Sequence, residues 1–150
     1  MKEILIIGTE PQCPRCRILT RIMREKAKEK DGSVVVRHIG YDSHEAGEIA
    51  RKYSLVPGTA KDVARKTGKK INIKRLTALC EQENLQGNHP YQRYNDCNWS
   101  PELDEELRFY EKEARQVGIM MTPVLVIDGQ IVHQGSVPPP EKVEEILRSL

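Results

Sequence analysis

The sequence predicts an α/β fold: a central four-stranded mixed sheet flanked by helices, with a helical insert after the second strand. Three observations predict it. The apolar run Ile4-Leu5-Ile6-Ile7-Gly8, an amphipathic helical pattern and then Val34-Val35-Val36 make a β-α-β unit. Further on, Val124-Leu125-Val126-Ile127 and Gln130-Ile131-Val132-His133 flank Asp128-Gly129, a dipeptide suited to a two-residue type I′ turn. Helical patterns lie on both sides of that hairpin, so the outer segments read β-α-β and then α-β-β-α.

Each element has its own warrant. After Cys16, the residues Leu19, Ile22, Met23 and Ala27 recur at helical spacing, and Asp31-Gly32 ends that helix. Residues 33–39 read as the second strand, joined to the first by a crossover that should be right-handed and parallel. Residues 43–99 form a connection far longer than the usual ~4–6 residues, so they should carry helices of their own. Asp42 with Glu45 resembles a capping box ahead of Ala46, Ile49, Ala50 and Tyr53, and Thr59 with Asp62 resembles another, closed by Gly68. Ile73, Leu76 and Cys80 share a helical face, whereas residues 87–99 have the composition of a loop. Ser100-Pro101 opens a helix with the stripe Leu103, Leu107, Tyr110, Ala114 and Val117, stopped at Gly118. Pro138-Pro139-Pro140 starts the last helix, with Val143, Ile146, Leu147 and Leu150 on one face. A helix-turn-proline pattern occurs twice, ending at Pro57 and at Pro123. Only Pro123 leads directly into an apolar β run, so it is placed before the hairpin. The expected organisation is one domain over residues 1–150, with a core of 1–42 and 100–150 and a helical insert at 43–99.

Composition narrows the class. With 150 residues and 38% hydrophobic content the chain can bury one core, and no run approaches the roughly 18 apolar residues of a membrane span. The chain enters a strand within three residues of its start, which makes the cytoplasm the expected compartment. Four cysteines are too few for a disulfide scaffold, so the close pair reads as catalytic or metal-binding. A formal charge of +2 identifies no partner. Between Arg51 and Arg75 basic residues far outnumber the single acid Asp62, as on a solvated helix face or a docking face for an acidic partner; the acidic stretch at 102–113 can also pair with it.

The chemistry lies in Pro11-Gln12-Cys13-Pro14-Arg15-Cys16. Placed between a strand and a helix, Cys13 sits at the helix N-terminus, where unpaired N–H groups and the helix dipole favour a thiolate. Cys16 lies one turn further in, within reach of a mixed disulfide formed at Cys13. Arg15 adds a cation beside the sulfur. Two other readings stay open. Cys13, Cys16, Cys80 and Cys97 offer four thiolates to zinc or an iron–sulfur cluster, although Cys80 lies on an apolar stripe and no second close pair is present. Cys97, in a polar loop, is either an ordinary residue or an accessory thiol that relays electrons. His38, His44, His89 and His133 show no ligand spacing.

Cys13-Pro14-Arg15-Cys16 at the first strand–helix junction, with Met121-Thr122-Pro123 before a hairpin and a final helix, resembles the thioredoxin-like superfamily over residues 1–40 and 102–150. The resemblance implies a thioredoxin-like fold in which Pro123 is cis and lies beside the reactive disulfide. It gives Pro14, Thr122 and Pro123 a substrate-binding role, the Thr122 backbone pairing with an extended substrate segment. Two positions depart from thioredoxins: Gln12 stands where Trp precedes the first cysteine, and Ile7 stands six residues ahead of that cysteine, where a buried acid transfers protons. Glu10 is a candidate replacement. Cys-Pro-x-Cys with Thr-Pro resembles glutaredoxins and small thioredoxin-like proteins more closely, but Gln134-Gly135-Ser136-Val137-Pro138 lacks the glutathione-binding Gly-Gly-x-Asp pattern.

The expectation is therefore a thiol–disulfide oxidoreductase with Cys13 as nucleophile, Cys16 as resolving thiol and Arg15 stabilising the thiolate. Its substrate would be a disulfide-containing protein or small molecule, and its electron source a thiol reductase. No cofactor, bound metal, membrane or nucleic acid is expected. The alternatives are a metal-binding or partner-docking module that uses the four cysteines or the basic insert, and a thiol enzyme acting on a peroxide or arsenate.

Overall fold

The computed structural model describes residues 2–81, 89–94 and 98–150. In chain order the elements are β1 (Lys2–Gly8), α1 (Pro14–Ala27), β2 (Val34–Gly40), α2 (His44–Lys52), β3 (Val56–Gly58), α3 (Ala60–Thr67) and α4 (Ile73–Glu81). After these come α5 (Pro101–Glu106), α6 (Arg108–Glu113), β4 (Ile119–Met121), β5 (Val124–Ile127), β6 (Gln130–Gln134) and α7 (Pro140–Arg148).

The central sheet has the order β2-β1-β5-β6. β1 runs parallel to β2, from Lys2 opposite Val34 to Gly8 opposite Gly40, and antiparallel to β5. The mixed four-stranded sheet expected from the sequence is present. Ile4 to Ile7 are all buried because β1 is central and covered on both faces, and this explains why it reads as a continuous apolar run. The two-residue period of the strand separates their destinations. Ile4 and Ile6 pack with Ile18, Leu19, Ile22 and Met23 of α1 and with Val143, Ile146 and Leu147 of α7. Leu5 and Ile7 pack on the opposite face with Ala46, Ile49 and Ala50 of α2. The hairpin turns on Asp128 and Gly129 at φ 47° and 82°, the positive values a type I′ turn requires.

Several expectations are corrected. The stretch at 43–99 is not purely helical, because β3 pairs in parallel with β4 as a second, two-stranded sheet. The two helix-turn-proline segments are thus neighbours, each leading into one of these short strands. α2 is capped by Ser43, whose Oγ accepts from the Ala46 N–H at 3.2 Å, and not by Asp42. The Thr59–Asp62 capping box and the left-handed stop at Gly68 are as expected. The helix expected over 100–117 is divided at Leu107, whose φ of −102° and ψ of 7° separate α5 from α6. Ile73 of α4 is 53% exposed, and that helix buries Leu79 and partly buries Leu76 and Cys80. Arg75 reaches Glu106 at 3.9 Å, one link between the basic and acidic stretches. Among the described residues no helix is long and apolar enough to cross a membrane.

Candidate active site

Cys13 is the N-cap of α1, in extended conformation at φ −74° and ψ 166°, with Pro14 in the first turn. Its N–H donates to Thr9 Oγ1 at 3.0 Å. Cys16 is buried one turn further on, and its sulfur lies 3.4 Å from that of Cys13. Both are free thiols in a geometry from which a disulfide closes with little movement.

The two sulfurs are electrostatically unequal. A hydrogen bond from the Cys16 thiol is the largest influence on Cys13; with the Cys16 N–H, the Arg15 charge and Thr9, it outweighs burial and lowers the Cys13 thiol to about 6. Donating that bond, being buried and facing the Cys13 anion push Cys16 far up, beyond the ordinary thiol range. Cys13 is therefore a thiolate at neutral pH and Cys16 a thiol. Iodoacetamide alkylation of the reduced protein should show a midpoint near pH 6 at Cys13, with Cys16 unmodified. A midpoint at the ordinary thiol value would contradict this geometry.

Arg15 has a different principal role from the one its position suggests. Its side chain is buried, and its Nε donates to Asp104 Oδ1 at 2.6 Å. Nη1 donates to the Thr122 carbonyl at 3.4 Å and Nη2 to the Gly135 carbonyl. Its charge is only a lesser contributor at Cys13. The second oxygen of Asp104 accepts from Trp99 Nε1 at 3.2 Å and from the Val137 N–H at 3.1 Å. This junction fastens the first turn of α1 to α5, to the segment before β5 and to the exit of β6. Sequence reading missed Asp104 because it sits in an acidic run that looks solvated; its place beside Leu103, on the buried side of α5, was the available signal.

Thr122 and Pro123 are buried, and the peptide bond between them is cis, as is Glu10–Pro11. The Thr122 N–H donates to Gly58 O at 3.0 Å and its carbonyl accepts from Arg15. The N–H of the residue that the resemblance gives to substrate binding is thus engaged by the end of β3. Pro14 remains partly exposed.

Gly8, at the end of β1, creates a narrow slot. A Cβ there would lie 2.4 Å from Cys16 Sγ and 2.9 Å from His38 Nε2, so glycine is what lets both side chains approach the strand. His38 comes from β2, its side chain 6% exposed, with Nδ1 2.9 Å from Glu10 Oε1. Its Nε2 is buried and makes no hydrogen bond. Burial holds this imidazole below its usual pKa; Arg24 acts in the same direction and Glu10 in the opposite one.

A family model described as a thioredoxin domain matches residues 96–148, the stretch carrying α5 to α7, Thr122-Pro123 and the hairpin. The fold is thioredoxin-like, and over this stretch, about a third of its length, the chain is similar to that family. No curated protein and no solved structure matches it. Cys13 and Cys16 lie outside the matched stretch, so a reading of them as a reactive pair rests on their own motif and geometry. Cys80 is half-buried, its thiol raised by burial first and by the Cys13 charge second. Cys97, with any relay or ligand role for it, lies outside the described residues. Among the described residues no group of three or more His, Cys, Asp or Glu side chains could hold a metal ion.

Proposed function

We propose that this thioredoxin-like protein is a thiol–disulfide oxidoreductase working through Cys13 and Cys16. The observation that carries the reading is the placement of two free sulfurs 3.4 Å apart, Cys13 at the N-cap of α1 and Cys16 buried one turn further in, an arrangement that lowers the Cys13 thiol to about 6 and pushes Cys16 up. The Cys13 thiolate attacks one sulfur of a substrate disulfide, and the other sulfur leaves as a thiolate. Cys16 then loses its proton and attacks Cys13 Sγ, forming the Cys13–Cys16 disulfide and releasing the second substrate sulfur. Two electrons pass from the dithiol to the substrate, and an external dithiol returns them.

With the Thr122 N–H occupied by β3, the substrate disulfide is one that reaches Cys13 without adding a strand there: a small molecule, or a disulfide protruding from a protein surface. A reducing cytosol supplying a thiol reductase suits this cycle. The test is reduction of a small disulfide and of a disulfide-bonded protein, each with dithiothreitol as electron source. Catalytic acceleration of either supports the reading, and a rate equal to dithiothreitol alone with both refutes it.

A further inference from the structure

Resting on the oxidoreductase reading, the geometry points to His38 as the base that takes the proton from Cys16 in the resolving step, with Glu10 as the residue that positions it. The step needs a base because Cys16 is buried and protonated, and a thiol is a poor nucleophile until it ionises. Nothing acidic or basic stands at Ile7. The nearby candidate by sequence, Glu10, has a side chain that is 59% exposed and bonded to His38.

Two observations converge on His38. Its Nε2 is buried without a partner, a costly state for a polar atom that serves no purpose there. The same nitrogen and Cys16 Sγ crowd one point above Gly8, at 2.9 Å and 2.4 Å, so their separation is no greater than those two distances laid end to end. They make no direct hydrogen bond at rest, which leaves the Cys16 proton for Cys13 until the mixed disulfide forms. Once Cys13 is in a disulfide, its sulfur no longer carries the charge that holds the Cys16 proton. A small side-chain rotation or one bridging water then joins Cys16 to His38.

The tautomer is fixed by Glu10. With the carboxylate accepting from Nδ1–H, the lone pair is on Nε2, facing the slot. Glu10 and Arg24 on α1 act on His38, and the Cys16 thiol faces it across the slot; burial and Arg24 hold the imidazole below its usual value, which favours the neutral form able to accept. Cys16 gives its proton to Nε2, its thiolate attacks Cys13 Sγ, the mixed disulfide breaks, and the departing substrate thiolate takes the proton from the imidazolium.

The experiment is stopped-flow reaction of the reduced protein with one equivalent of 5,5′-dithiobis(2-nitrobenzoate). Attack by Cys13 releases the first thionitrobenzoate and closure by Cys16 the second. His38→Gln should slow the second release about 100-fold at pH 7, within the range a general base supplies, and leave the first nearly unchanged. The deficit should shrink as pH rises and hydroxide replaces the base. Glu10→Gln, a change at an exposed side chain that leaves the core intact, should slow only the second release, by about tenfold at pH 7. A second release within about twofold of wild type in His38→Gln overturns the inference, as does equal slowing of both releases at every pH. If His38→Gln does not fold, an unchanged second release in Glu10→Gln overturns it instead. A wild-type protein that yields only one equivalent overturns the oxidoreductase reading itself, a result distinct from either.

Discussion

Cys13→Ser protein should reduce disulfides no faster than the free reductant, and Cys16→Ser protein should stall as a mixed disulfide with its substrate. The first effect is the largest expected of any substitution here, about 10³-fold or more, because a serine hydroxyl stays protonated where the Cys13 thiol, lowered to about 6, is ionised. The second follows from Cys16 being the sulfur 3.4 Å from Cys13. Cys16→Ala adds a separate readout: without the Cys16 S–H to donate, the alkylation midpoint of Cys13 should rise from near 6 towards the usual thiol value. Intact mass after reaction with a disulfide substrate separates these cases. Full activity in Cys13→Ser, or no trapped adduct in Cys16→Ser, would contradict the mechanism.

Asp104→Ala should destabilise the fold by about 3–5 kcal/mol, read as a lower urea midpoint and a melting temperature lower by roughly 10 °C. The Arg15–Asp104 pair is almost fully buried, with side chains 7% and 3% exposed. Removing the carboxylate leaves the guanidinium uncompensated and strips the Trp99 indole N–H and the Val137 N–H of their acceptor. Replacing both partners, as Arg15→Met with Asp104→Leu, should recover much of the loss, because no buried charge is then left alone. Arg15→Lys should not recover it, since an ammonium cannot span Asp104, Thr122 and Gly135 as the planar fork does. A loss below about 1 kcal/mol in Asp104→Ala would show that the junction is not structurally important.

How much was legible in the sequence depended on whether a signal was local. β1, α1, the Asp128-Gly129 hairpin and α7 could be read because each carries its own period or turn chemistry within a few residues. β3 could not, since Val56-Pro57-Gly58 contains a proline and a glycine and is a strand only through its pairing with residues 119–121. The break at Leu107 was hidden by an apolar stripe that continues through it, and Ser43 beside Asp42 left two adjacent caps to choose between. At the site, the Cys13–Cys16 spacing was plain, whereas the partner of Arg15 lies 89 positions away. Reading Arg15 as an aid to the neighbouring thiolate gave its nearness in sequence more weight than a distant, buried carboxylate. His38 had no signal of its own; it matters because parallel pairing with β1 brings it to Gly8 and Cys16.

The most direct test of the central claim is a redox titration of the purified protein at several pH values, read by thiol alkylation and intact mass. The proposed function predicts that Cys13 and Cys16 interconvert as one two-electron couple, within the range of about −180 to −280 mV at pH 7 that dithiol oxidoreductases occupy. Because Cys13 ionises near 6 while Cys16 stays protonated, the potential should fall by about 59 mV per pH unit below that point and about 30 mV above it. Two cysteines that oxidise independently, or that form no bond with each other at any potential, would contradict the account.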